Sequence, residues 1–172
     1  MASRRVAAHV VKQGLLPVIP PDACVLMLGS FPGEESLRQS QYYAHPRNQF
    51  WRLIGDVLGE PLAQLPYPKR LLRLARHRIG VWDIITGCER EGSLDGDIRN
   101  ASLAQFDWLA GHAPRLRLLA LNGKKAGSAQ RRIEALGYQT LVLPSSSPAH
   151  TLAYDTKLAA WLALRPHVMQ QA

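Results

Sequence analysis

The sequence predicts an α/β fold: a three-layer α/β/α sandwich around a central four-stranded, mainly parallel sheet. Three observations predict it. Short, continuous apolar runs recur along the 172 residues, bounded by Gly or Pro, as buried strands are. Between most of them lie segments whose apolar residues recur at helical spacing. Strand and helix therefore alternate, which implies parallel pairing with crossover helices on the faces of the sheet. No repeat or low-complexity linker divides the chain, and its length suits one domain over residues 1–172.

The elements follow in order. Residues 1–22 form an irregular or helical N-terminal extension, since the prolines of LLPVIPPDA (15–23) interrupt regular structure. CVLMLG (24–29) is a buried strand stopped by Gly29. NQFWRLIGDVLG (48–59) is a helix with Phe50, Trp51, Ile54, Val57 and Leu58 on its apolar side. KRLLRLARHR (69–78) is a basic helix with Leu71, Leu72 and Leu74 inward. IGVWDII (79–85) is the second strand, and residues 86–100 read as a polar loop. Ser102 and Gln105 have capping-box spacing for a helix through about residue 111. RLRLLAL (115–121) is the third strand, GKKAGSAQRRIEALG (123–137) a helix ending at Gly137, and QTLVLP (139–144) the fourth strand. After the loop SSSPAHT, residues 154–168 form a last amphipathic helix. In such sheets ligands bind beyond the carboxyl ends of the strands. The loops SFPG, TGCEREG, NGKK and SSSPAH should open on that edge.

Composition narrows the function. Lys and Arg number 21 against 13 Asp and Glu, so the net charge is +8. The pI is near 10.0. Arg outnumbers Lys, and its planar fork of donors suits phosphate. Nucleic acid is the partner this favours. A hydrophobic content of 47% argues against disorder. Runs such as CVLMLG and LRLLAL are too short to cross a bilayer. The N-terminus has no long apolar core leading to a small-residue cleavage site, so neither membrane insertion nor export is expected. Cys24 and Cys88 cannot supply a four-thiolate cluster, and a reduced, cytoplasmic protein is the simplest reading. The six His include no i,i+4 pair, and the sequence has no Walker loop, G-x-G-x-x-G or G-x-S-x-G. No metal and no cofactor are expected.

The chemistry is expected in a few loop residues. In GSFPG, Gly29 and Gly33 permit a close backbone approach or a tight turn, and the Phe31 ring lies just beyond the strand. In HPRNQFW, Pro46 holds His45 extended and Asn48 falls at the start of a helix. Asn48 has two readings: an N-cap, or a rigid amide aimed into a pocket. An amide orients but is a poor general base. Tyr42 and Tyr43 either line that pocket or pack. In VWDII, Asp83 is a lone acid in an apolar strand, where an unpaired charge is expensive. It either caps a turn, pairs with an Arg or serves the site. SSSPAH and the lysines of NGKK, Lys124 and Lys125, read as phosphate contacts or as ordinary solvated turns.

In this order, GSFPG, AHPRNQFW, VWDII and SSSPAH resemble the uracil-DNA glycosylase superfamily. The combination of GSFPG, YYAHPRNQFW and SSSPA looks most like the DNA-deoxyinosine (hypoxanthine-DNA) glycosylase family, with the likeness covering residues 24–165. The resemblance implies a monofunctional DNA glycosylase. It would flip a deaminated base out of DNA, hypoxanthine preferred, and hydrolyse its N-glycosidic bond as a monomer without a cofactor. Residue by residue, it implies that Asn48 is catalytic, orienting water or bonding the departing base, and that Phe31 stacks on the base. Gly29, Ser30, Tyr43 and Asp83 would line the base, while Lys124, Ser145, Ser146, Ser147, Pro148 and His150 would meet DNA. Two departures bear on this. Phe31 stands where much of the superfamily has a water-positioning Asn or Asp, and Ser145 stands where a second motif begins with His. With no Schiff-base lysine evident, the abasic product should remain uncut. The alternatives are a uracil or mismatch glycosylase of the same fold, a non-catalytic damage-binding module and, less favoured, a small-molecule hydrolase.

Overall fold

A computed structural model of the chain describes residues 10–169. The first element is a short strand, β1 (Val11–Gln13). The chain then runs along the edge of the main sheet, where Val18 and Val81 exchange backbone hydrogen bonds of 3.0 and 2.9 Å. Strand β2 (Val25–Gly29) follows, then helices α1 (Glu34–Gln39), α2 (Phe50–Leu58) and α3 (Tyr67–Arg76) and strand β3 (Ile79–Asp83). Next come β4 (Ile85–Glu89), β5 (Arg99–Leu103) and the single-turn helix α4 (Leu109–His112). The chain continues through β6 (Leu118–Asn122), α5 (Lys124–Gly127), α6 (Gln130–Glu134) and β7 (Gln139–Leu143). It closes with α7 (Tyr154–Trp161), a 3-10 turn and α8 (Arg165–Met169).

The main sheet has the order β3-β2-β6-β7, and every pairing in it is parallel, as expected. Side chains alternate across a strand, so each strand feeds two cores. Val25, Met27, Ile79, Val81, Leu118 and Ala120 pack with Phe50, Trp51, Ile54, Leu74 and Trp161 from α2, α3 and α7. Leu26, Leu28, Trp82, Leu119 and Leu121 pack on the other face with Leu109, Ala126 and Ile133 from α4, α5 and α6.

Several expectations are corrected. The stretch 86–100 is not wholly a loop: β4 and β5 pair antiparallel with each other, and β1 pairs with β4, making a second, three-stranded sheet. This sheet contributes Ile85 and Cys88 to the second core, so the layer there is part helix and part sheet. The described part of residues 1–22 thus includes a strand; residues 1–9 lie outside the described chain. Ser102 is in β5, opposite Gly87, and caps no helix; α4 begins only at Leu109. The helix expected over 123–137 is broken between α5 and α6, where Gly127 is a poor helix former and the Ser128 hydroxyl donates back to the Lys125 carbonyl (2.6 Å). Leu72 points outward, 64% exposed, whereas Leu74 is buried.

Candidate functional site

Strand register places the site. Gly29 pairs with Asp83 and Asn122 with Leu143, so the ends of β2, β3, β6 and β7 lie along one edge. The loops that follow them, with the segment before α2, converge there.

Asn48 is fixed by three neighbours. Its backbone N–H donates to the His45 carbonyl (2.9 Å). Its side-chain oxygen accepts the Phe50 backbone N–H (2.9 Å) and the Ser146 hydroxyl (2.9 Å). A backbone N–H can only donate, so the Phe50 bond identifies the amide oxygen. Asn48 is not itself the N-cap, a position held by Gln49, but its oxygen takes the first N–H of α2. With the oxygen so engaged, Nδ2 is the part of the amide that can still donate.

Ser146, 1% exposed, is the hub. Its backbone N–H donates to Asn122 Oδ1 and its hydroxyl accepts from Asn122 Nδ2, each at 2.9 Å. Asn122 Nδ2 also donates to the Tyr43 hydroxyl (3.3 Å). Tyr43 stacks on Phe50 with ring centroids 3.8 Å apart. The chain Asn48–Ser146–Asn122–Tyr43 joins three segments by side-chain bonds: the connection between α1 and α2, the end of β6 and the loop after β7.

Gly29 closes the floor of the site. A Cβ there would lie 2.5 Å from Asp83 Oδ1 and 2.9 Å from the Tyr43 hydroxyl, so glycine is required by close approach. Asp83 is 5% exposed, and its Oδ2 has no hydrogen-bond partner among the described residues. Burial, reinforced by the charge of Asp95 and partly offset by Arg90, pushes its pKa up to about 7. The group is poised between acceptor-only carboxylate and carboxylic acid near neutral pH. Burial and then the nearby Asp83 push the Tyr43 hydroxyl far above the ordinary phenol value, so it stays an O–H.

Ser30 donates to Asp95 (2.6 Å), which tethers the 95–97 turn over the end of β2. Phe31 is 6% exposed and packs in the core, with the Arg90 guanidinium 5.1 Å from its ring centre. Arg90 is itself buried, bonded through Nε to Gly92 and through Nη2 to the Pro32 carbonyl, and burial lowers its pKa.

The SSSPAH loop divides by burial. Ser146 faces inward and is not available to a phosphate, contrary to expectation. The Ser145 and Ser147 hydroxyls accept from the backbone of Ser147 (3.1 Å) and Ala149 (3.2 Å). Pro148 and His150 are exposed, as is Lys124 at the start of α5.

Asn122, Gln49 and Lys157 are site residues that sequence reading missed. Lys157 donates to Gln49 Oε1 at 3.0 Å. One signal existed: Lys157 lies one and two turns before Trp161 and Leu164, on the apolar face of its helix. Among the described residues no group of three or more His, Cys, Asp and Glu could hold a metal ion. Nor is any described helix long and apolar enough to cross a membrane.

The family model for the Uracil DNA glycosylase superfamily matches residues 16–167. A protein named "Hypoxanthine DNA glycosylase" from Methanosarcina barkeri (strain Fusaro / DSM 804) is 43% identical over 150 residues, covering 87% of this chain and 95% of that one. Another of that name from Methanosarcina acetivorans is 40% identical over 158 residues, covering 92% and 100%. The solution NMR structure of a candidate uracil DNA glycosylase from Methanosarcina acetivorans superposes with a TM-score of 0.85 at 39% identity, covering 93% of this chain and 99% of that one.

Proposed function

The chain belongs to the Uracil DNA glycosylase superfamily and is a DNA glycosylase, and from that premise we propose that it releases deaminated bases from DNA, hypoxanthine before uracil. The observation that carries the preference is its 43% and 40% identity with two hypoxanthine DNA glycosylases over nearly their whole lengths. The geometry supports how it works. The target nucleotide rotates out of the duplex into the edge formed by Gly29, Tyr43 and Asp83, a step that costs least at a poorly paired lesion. Phe31, though only 6% exposed and packed beside Arg90, is the ring that stacks on the base. As a carboxylate, Asp83 accepts the N1–H of hypoxanthine; uracil offers N3–H, so Asp83 alone does not separate the two bases.

Asn48 then acts as a donor. Its oxygen already accepts from Phe50 and Ser146, so Nδ2 is what reaches the water oxygen or an acceptor atom of the departing base. Cleavage through an oxocarbenium-like state needs only a weak, well-placed nucleophile. Lys124, Pro148 and His150 meet the phosphate backbone on the same edge, and one copy of the chain supplies every residue of the site.

The test is a panel of duplexes, each with one lesion, treated with alkali after incubation. Hypoxanthine strands are expected to be cut fastest. Asn48→Asp keeps the acceptor oxygen and loses the N–H donor; it should slow base release by roughly a hundredfold or more while melting as the wild type does. Asn48→Ala should slow release as much and also melt lower, because it strips the Phe50 N–H and the Ser146 hydroxyl of their acceptor. Cutting at uracil but not hypoxanthine would overturn the specificity. Full activity in Asn48→Asp would overturn the donor role, and no release from any duplex would leave a damage-binding module.

A further inference from the structure

Lys157 in α7 is a buried cation that none of the motifs includes. It is 1% exposed and lies on the helix face that carries Trp161 into the core. No carboxylate of the described residues pairs with its ammonium, and burial is the only influence on its pKa, which is lowered. An unpaired buried ammonium is costly, and a methionine of similar length would pack in its place without that cost.

What it touches gives it a role. Nζ donates to Gln49 Oε1 at 3.0 Å and to the Ser147 carbonyl at 3.5 Å. Gln49 follows Asn48, and Ser147 follows Ser146. The same two segments are already joined by the Gln49 backbone N–H donating to the Ser146 carbonyl (3.0 Å) and by the Ser146 hydroxyl donating to Asn48 (2.9 Å). Lys157 adds a pin from a third element, behind the pair and out of reach of solvent.

We propose that Lys157 is a positioning residue for base release: its ammonium, shared between Gln49 and the Ser147 carbonyl, locks Asn48 and Ser146 into the geometry the reaction needs. This rests on Asn48 being the catalytic amide. An error of about 1 Å in such a group costs on the order of a hundredfold in rate. The cation is thus retained for placement, at the expense of stability.

Lys157→Met keeps the stem and removes the donors. Single-turnover base release from a hypoxanthine duplex, melting temperature and duplex affinity are measured together on the full chain. The rate should fall roughly ten- to a hundredfold, while the melting temperature holds or rises and duplex affinity is retained. Lys157→Gln restores a donor and should recover much of the rate. Gln49→Met should cause the same loss, and combining it with Lys157→Met should add nothing. In an Asn48→Ala background, Lys157→Met should leave the residual rate unchanged. The proposal is overturned if Lys157→Met leaves the rate intact, or if rate and melting temperature fall together without rescue by Gln. If Lys157→Met does not fold, Gln49→Met decides alone, and an unchanged rate there overturns the proposal. If Asn48→Ala itself releases base at the normal rate, the catalytic reading has failed instead.

Discussion

Asp83 holds a carboxyl group where its charge is disfavoured, and this makes two opposite pH dependences. Its folded pKa of about 7 lies above the ordinary 3.8, so the folded state binds the proton more tightly than the unfolded chain does. Asp83's effect on stability is therefore most favourable below about pH 4, worsens as pH rises through the interval to about 7, and is constant above it. The full difference is on the order of 4 kcal/mol. Asp83→Asn should then melt like the wild type at pH 4 and well above it at pH 8, as read by thermal denaturation; equal melting temperatures at pH 8 would contradict the buried charge. Base release should run the other way. If the carboxylate accepts the N–H of the base, the single-turnover rate rises with pH through about 7 in the wild type and loses that rise in Asp83→Asn. At this scale the sequence is a good guide to residues that stand out in their own segment. Asp83 interrupts an apolar run, Gly29 ends a strand and Asn48 precedes an aromatic pair. It is a poor guide to groups defined by distant partners. Asn122 is ordinary until Tyr43 and Ser146 are brought to it, and Lys157 until Gln49 is.

The elements matter through their joints. Gly123 connects β6 to α5 with φ 100° and ψ 173°, a region open essentially to glycine alone. Its backbone N–H donates to Leu143 (2.9 Å), and a Cβ would lie 2.9 Å from Ser145 Cβ. Gly123→Ala should therefore lower stability by roughly 1–3 kcal/mol. It should also slow base release, because Ser145 can only yield by moving the loop that holds Ser146 against Asn48. A urea melt and a single-turnover assay check the two effects; normal activity would mean the loop tolerates the shift. The parallel strands were legible because each is a short apolar run; β2, β3 and β6 are buried on both faces, while the edge strand β7 leaves Gln139 and Val142 exposed. The second sheet was not. All five residues of β5 are exposed, so no alternation marks it; its one partner is β4, whose other side is taken by β1, far back in the chain. Ser102 misled for the same reason: capping-box spacing is a local signal, and a non-local strand pairing overrode it.

At the scale of the whole molecule, charge and chemistry separate. The net charge of +8 acts on DNA through solvent, where salt screens it. The amide and hydroxyl network from Asn48 to Tyr43 is neutral and largely enclosed, so salt has little purchase on it. Binding and base release should therefore respond differently to the same titration. If the chain's cations meet about four phosphates, log affinity falls with log salt at a slope near −3.6, roughly a hundredfold between 50 and 200 mM. Lesion and undamaged duplexes should share that slope, because it arises from phosphates and not from the base. The single-turnover rate at saturating enzyme should stay nearly constant over the same range. Fluorescence anisotropy and alkali-cleavage kinetics, run on one duplex in the same buffers, measure both quantities. A flat binding curve would show that the positive charge is not what holds DNA. A rate that falls as steeply as the affinity would show that screened charges, and not the buried amide network, carry the step at the glycosidic bond.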